Sequence, residues 1–293
     1  MLEFGRLITA MVTPFNEEGA LDIDEAVRIA DHLVQTGTET LLLSGTTGES
    51  PTLAHSEERL LFTELVRQFG GTVKIMAGTG SNATQTAVES SRAAESIGVD
   101  GLLQVVPYYN KPSQEGIFRH FSAVAESTAL PILLYNIPGR TGTTMSPETV
   151  ARLAEKETII GLKEAAGSLD QFKAIRKATP DSFLMYSGDD ALTLSFMKAG
   201  GAGVVSVASH CAGQEIVAMM RAVEMGDLDG AQAIHDMLSD LFRVLFITSN
   251  PAPVKAALAL MGFNQDRLRL PLISVTDDER QKIKAALTPL MSS

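Results

Sequence analysis

Short apolar runs alternate with longer segments whose apolar positions recur every three to four residues. Residues 7–13 read as a strand. Residues 24–36 follow with Ala26, Val27, Ile29, Ala30, Leu33 and Val34 at helical spacing. The same pattern predicts strands at 40–43, 73–77, 101–106, 131–135, 159–163, 183–187 and 203–207. Helices are predicted at 56–69, 83–97, 113–127, 147–155, 169–178 and from 191 to 198. Local signals support the starts: Ser56 as an N-cap, Ser146-Pro147 as an N-cap followed by proline at the first helical position, and Asp189-Asp190 before the helix at 191.

Repeated strand–helix units imply a parallel sheet. Eight of them imply a closed (β/α)8 TIM barrel, here over residues 1–225. An open doubly wound sheet is the alternative if one or two strands are misassigned. Residues 226–293 carry no strand signal and read as a C-terminal helical region. It has helices at 228–248, 254–261 and 276–290, broken by Asn250-Pro251-Ala252-Pro253 and by the extended Leu268-Arg269-Leu270-Pro271-Leu272. Such an appendage packs on the barrel or on a neighbouring subunit.

The formal net charge of −11, with no basic run, argues against nucleic-acid binding. No stretch approaches the roughly 20 apolar residues of a bilayer span, and the segment from Met1 to Arg6 lacks a signal-peptide layout. Cys211 is the one cysteine, which excludes an intramolecular disulfide and suggests a reducing, cytoplasmic setting. The five histidines are scattered without metal-ligand spacing, so no metal is expected.

In such a barrel the chemistry sits at the C-terminal strand ends. Lys163 closes the apolar run Ile159-Ile160-Gly161-Leu162. A lysine at a strand end is usually a solvated cap or half of an ion pair, and Glu164 is an adjacent candidate partner. In apolar surroundings, however, burial disfavours the charged amine, and a neutral amine adds to carbonyl carbon to form a Schiff base. The other strand ends carry Gly45-Thr46-Thr47-Gly48-Glu49, Pro107-Tyr108-Tyr109-Asn110, Tyr135-Asn136-Ile137-Pro138-Gly139-Arg140 and Gly188-Asp189-Asp190. Each alone is an ordinary loop. Together they place hydroxyls, phenols, a guanidinium and an amine on one rim, a set suited to keto-acid chemistry.

The motifs Gly45-Thr46-Thr47-Gly48-Glu49, Tyr135-Asn136-Ile137-Pro138-Gly139-Arg140-Thr141-Gly142 and Gly161-Leu162-Lys163-Glu164 resemble the dihydrodipicolinate synthase/N-acetylneuraminate lyase family of class I aldolases. The resemblance runs from Leu7 onward and includes Asn250-Pro251-Ala252-Pro253-Val254-Lys255. Arg140 and the Tyr108-Tyr109 pair resemble the branch that condenses pyruvate with L-aspartate 4-semialdehyde on the way to diaminopimelate and lysine. The resemblance implies that Lys163 forms the Schiff base with pyruvate. It implies that Tyr135, Thr46 and Tyr109 relay protons, with Tyr109 reaching in from a neighbouring subunit of a homotetramer. By the same resemblance Thr47 binds the pyruvate carboxylate, Arg140 binds that of the semialdehyde, and Gly188 and Val205 line the keto-acid pocket. No cofactor is implied.

Members of this family are often inhibited by lysine at a dimer interface. Ser50, His55, Asn82 and Tyr108 match that effector site, while Glu58 and Thr86 depart from it, which predicts weak or absent inhibition. Gly78-Thr79-Gly80-Ser81-Asn82-Ala83 imitates a dinucleotide fingerprint. It reads here as a tight turn whose glycines let the helix approach, with no binding of NAD or NADP expected. Two rival readings are a Schiff-base aldolase or dehydratase acting on a 2-keto-3-deoxy sugar acid, and a non-catalytic small-molecule sensor. Arg140 and Tyr109 argue against the first; a nucleophile with its relay argues against the second.

Overall fold

The computed structural model describes residues 3–264 and 266–291. Eight parallel strands close into a barrel in sequence order. They are β1 (Leu7–Ala10), β2 (Thr40–Leu43), β3 (Lys74–Gly78), β4 (Gly101–Val105), β5 (Ile132–Asn136), β6 (Ile159–Glu164), β7 (Leu184–Ser187) and β8 (Gly203–Ser206). The helices around and beyond them are α1 (Ile23–Gln35), α2 (His55–Phe69), α3 (Thr84–Ile97), α4 (Gln114–Ala125), α5 (Pro138–Thr141), α6 (Pro147–Leu153), α7 (Leu169–Ala178), α8 (Thr193–Lys198), α9 (Ser209–Glu224), α10 (Leu228–Val244), α11 (Ala252–Leu260) and α12 (Asp277–Met291). The parallel sheet is closed, not open and doubly wound.

The period-two geometry of a strand sends successive side chains to opposite faces. Ile8, Leu42, Met76, Leu103, Leu133, Tyr135, Tyr186 and Val205 pack together in the barrel interior. Their neighbours Leu7, Leu41, Ile75, Leu102, Leu134, Met185 and Val204 belong to the larger core beneath the helices. On β6, Leu162 packs in that outer core, so Lys163 faces the interior and Glu164 faces out again.

Several boundaries differ from the sequence expectation. Strand β1 ends at Ala10, not residue 13; beyond Met11, the Thr13 hydroxyl turns to the Gly48 carbonyl at 2.6 Å. Helix α2 starts at His55, and Ser56 is not its cap: Glu57 reaches back and accepts from the Ala54 N–H at 2.9 Å. The segment after Asp189 opens as a 3-10 turn at Asp190–Leu192 before α8. The short α5, carrying Arg140, is not foreshadowed by any periodicity. Ser146 caps α6 as expected, accepting from Thr149 N at 3.2 Å. Helix α10 stops at Val244, short of 248. The Gly78-Thr79-Gly80 turn serves strand packing and not helix approach. A side chain at Gly78 would run into the Ser44 carbonyl, and one at Gly80 into the Val105 N–H.

Candidate active site at the C-terminal end of the barrel

Lys163 stands between two interior tyrosines in register, Tyr135 on β5 and Tyr186 on β7. The Tyr186 hydroxyl is committed to the Gly5 carbonyl at 2.8 Å. Tyr135 instead lines a cavity of about 600 Å³ together with Thr46, Arg140, Asn250, Ser44 and Gly45. The Lys163 Nζ lies 4.2 Å from the Tyr135 ring centroid. Gly188 lets the lysine stand there: a Cβ on it would sit 3.0 Å from Lys163 Cε and 2.7 Å from Ala165 Cβ. Val205, buried on β8, belongs to the same interior cluster as Tyr135.

Electrostatics favour the free amine. Lys163 is 6% exposed, and burial lowers its pKa to about 7. The Asp190 charge opposes the fall and the Arg140 guanidinium assists it. Glu164 is no partner. It points outward, accepts from Asn136 Nδ2 at 3.0 Å and from Ala166 N at 2.7 Å, and burial raises its pKa. Lys163 makes no ion pair among the described residues. Tyr135 is pushed up to about 12 by burial, against the pull of the Thr46 hydroxyl and the Arg140 charge. Its phenol is therefore a proton carrier near neutral pH, not a phenolate.

Thr47 is buried, its Oγ1 accepting from Asn250 Nδ2 at 2.9 Å. Thr46, the next residue back, lines the cavity on the same turn. Arg140 reaches the cavity from α5, exposed at its mouth. Tyr109 does not join this group within one chain. It is 89% exposed, with φ of 72°, and lies off the cavity lining. Of the predicted effector residues, Ser50, His55 and Tyr108 line an extension of the cavity with Glu58 and Thr86. Asn82 lies outside that lining, its carbonyl accepting from Asn110 Nδ2 at 2.8 Å.

Asp190 is the residue that sequence reasoning missed. Asp189 performs the expected cap, accepting from Ala191 N at 2.9 Å. Asp190 turns inward, buried, and accepts from Ser206 Oγ at 2.5 Å and from the Val207 and Ala208 amides at 3.0 Å. A pair of adjacent aspartates carried the signal, but its reading as a cap absorbed both. Among the described residues, no group of three His, Cys, Asp or Glu side chains is placed to hold a metal. No described helix is long and apolar enough to cross a membrane.

A buried amine with its pKa lowered to about 7, a tyrosine ring against it and hydroxyls on an adjoining turn is suited to imine formation and proton transfer. Comparisons with known proteins converge on the same chemistry. The model of the dihydrodipicolinate synthetase family matches residues 3–290. The 4-hydroxy-tetrahydrodipicolinate synthase of Moorella thermoacetica is 53% identical over 98% of each chain. That of a Cyanothece species is 51% identical over 99% of each. The crystal structure of DHDPS from Cyanidioschyzon merolae with lysine bound has a TM-score of 0.97 at 47% identity, covering 99% of both chains. The chain belongs to the dihydrodipicolinate synthetase family.

Proposed function

We propose that this chain is a 4-hydroxy-tetrahydrodipicolinate synthase, condensing pyruvate with L-aspartate 4-semialdehyde through an imine on Lys163. The neutral Nζ adds to the pyruvate C2 carbonyl, and water leaves. The imine acidifies C3, and loss of a C3 proton gives the enamine. The enamine carbon attacks the semialdehyde aldehyde, whose oxygen takes up a proton. The semialdehyde's amino group then closes the ring at C2 as Lys163 is expelled. Tyr135 with Thr46 carries the protons, joined by Tyr109 of a neighbouring subunit. Thr47 holds the pyruvate carboxylate, and Gly188 and Val205 shape the pocket around the three-carbon unit. Arg140, a planar fork of donors, holds the semialdehyde carboxylate.

The single observation carrying this reading is the buried Lys163 amine, shifted to about 7 and 4.2 Å from the Tyr135 ring. The sugar-acid alternative is not favoured: Arg140 lines the cavity, and relatives at about half identity act as named above. We place the reaction in the cytoplasm, in a homotetramer built from tight dimers. The exposed, left-handed Tyr109 supports that assembly as the residue offered to a neighbour. We read the chain as a barrel catalytic unit over residues 1–225 with a helical region over 226–293, the division that the helices α10, α11 and α12 support. Ser50, His55 and Tyr108 line an effector groove, and Asn82 stands at its edge. The reading is tested by a coupled assay with pyruvate and the semialdehyde. Activity is expected in the wild type and absent in Lys163→Ala; equal rates would overturn it.

A further inference from the structure

The C-terminal helical segment is bonded into the turn that carries Thr46 and Thr47. Asn250, buried just before α11, donates from Nδ2 to Thr47 Oγ1 at 2.9 Å. Two residues past Thr47, Glu49 has left-handed backbone with φ of 53° and is buried. Its Oε1 receives Lys255 Nζ at 2.5 Å, and its Oε2 accepts from Arg269 N at 3.1 Å. Both side chains of that ion pair are fully buried. Lys255 Nζ also donates to the Arg267 carbonyl at 2.8 Å and lies 4.4 Å from the Phe15 ring centroid. The turn is thus held from outside the barrel at two points.

A threonine hydroxyl has one proton and two acceptor positions. The Asn250 amide fills one acceptor position of Thr47. Among the described residues, no protein acceptor takes the Thr47 proton. We propose that Asn250 is a positioning residue for keto-acid recognition: it holds Thr47 so that the hydroxyl proton is presented to the substrate carboxylate, while the Glu49–Lys255 pair fixes the turn. The helical region then completes the pyruvate site and is not merely a covering layer. This rests on the reading that Thr47 binds the pyruvate carboxylate. An aspartate at 250 would reverse the bond, drawing the Thr47 proton away and adding negative charge beside an anion.

The test uses the full-length chain and reads the pyruvate concentration that half-saturates reductive trapping by cyanoborohydride. The variants are Thr47→Val, Asn250→Ala, Asn250→Ser and Asn250→Asp, each with its melting temperature. Thr47→Val is expected to raise the half-saturating pyruvate about tenfold, the worth of one hydrogen bond to a charged group. Asn250→Ala should raise it several-fold and Asn250→Asp further. The KM for the semialdehyde at saturating pyruvate should stay unchanged, an asymmetry that general loosening of the fold does not produce. The serine variant serves the same comparison if alanine fails to fold. If Thr47→Val moves the value and the Asn250 variants do not, or if Asn250→Asp binds better than alanine, this proposal falls and the role of Thr47 stands. If Thr47→Val has no effect, both fall.

Discussion

Lys163 and Glu164 are consecutive on β6, yet they face opposite sides of the barrel wall. Glu164 is held by Asn136 and the Ala166 amide on the outer side, so the nearest carboxylate in sequence does nothing to keep the lysine charged. The free amine fraction therefore rises as pH passes through about 7. Initial rates of cyanoborohydride trapping at subsaturating pyruvate should climb with an apparent pKa near 7 and level off above it. A midpoint near the ordinary lysine value of 10.5 would contradict the burial argument.

Tyr135 presents a neutral phenol beside that amine, its pKa raised to about 12. Tyr135→Phe keeps the ring that packs on Lys163 and removes only the proton carrier. The kcat should fall by about a hundredfold or more, the usual range for a positioned acid–base group. Thermal stability should hold, because the hydroxyl is the only atom lost from the barrel interior. Steady-state kinetics and a melting curve check both parts.

Arg140 lies at the cavity mouth, and its charge depresses the Lys163 pKa. Removing a positive charge relieves that depression. Arg140→Ala should accordingly shift the trapping midpoint upward in pH and raise the KM for the semialdehyde more than that for pyruvate. Arg140→Lys should restore much of the pH midpoint but little of the semialdehyde affinity, since an ammonium lacks the planar fork.

The Glu49–Lys255 pair is buried on both sides. Lys255→Met leaves the Glu49 carboxylate buried without its cation, which costs about 3–5 kcal/mol. Glu49→Gln combined with Lys255→Met removes both charges and should recover most of that loss. Denaturant midpoints of the single and double variants read the difference.

In the effector groove the Glu58 carboxylate is already engaged, by Ser50 Oγ at 3.1 Å and by His55 Nδ1 at 3.0 Å. Burial raises its pKa against the pull of those two hydrogen bonds, and Thr86 carries no charge. L-lysine should therefore inhibit only in the millimolar range. Inhibition at micromolar lysine in the coupled rate assay would show that Glu58 takes over as the ammonium's partner.

The barrel was legible because its strands are short, continuously apolar runs, buried on both faces, set between helices whose apolar positions obey a period of 3.6. Lys163 was legible because it closes one of these apolar runs; that it faces the interior emerges only from the structure, where Leu162 packs outside. Helix ends were less so, as at α2, where a glutamate reaching back displaces a serine as the effective cap. Long-range partners left the weakest trace. Asp190 looked like a second cap residue, and Asn250 looked like a helix breaker. Only the closed barrel brings Asp190 against β8 and Asn250 against a turn some two hundred residues earlier. Tyr109, expected to act from a neighbouring subunit, is exposed and lies off the cavity lining of its own chain.

The central claim concerns one nitrogen. Pyruvate and cyanoborohydride are added to the wild-type chain, and the digested protein is mapped by mass spectrometry. A reduced three-carbon adduct confined to the peptide bearing Lys163, and missing from Lys163→Ala, is the result predicted here. An adduct on any other lysine, or none at saturating pyruvate, would contradict it.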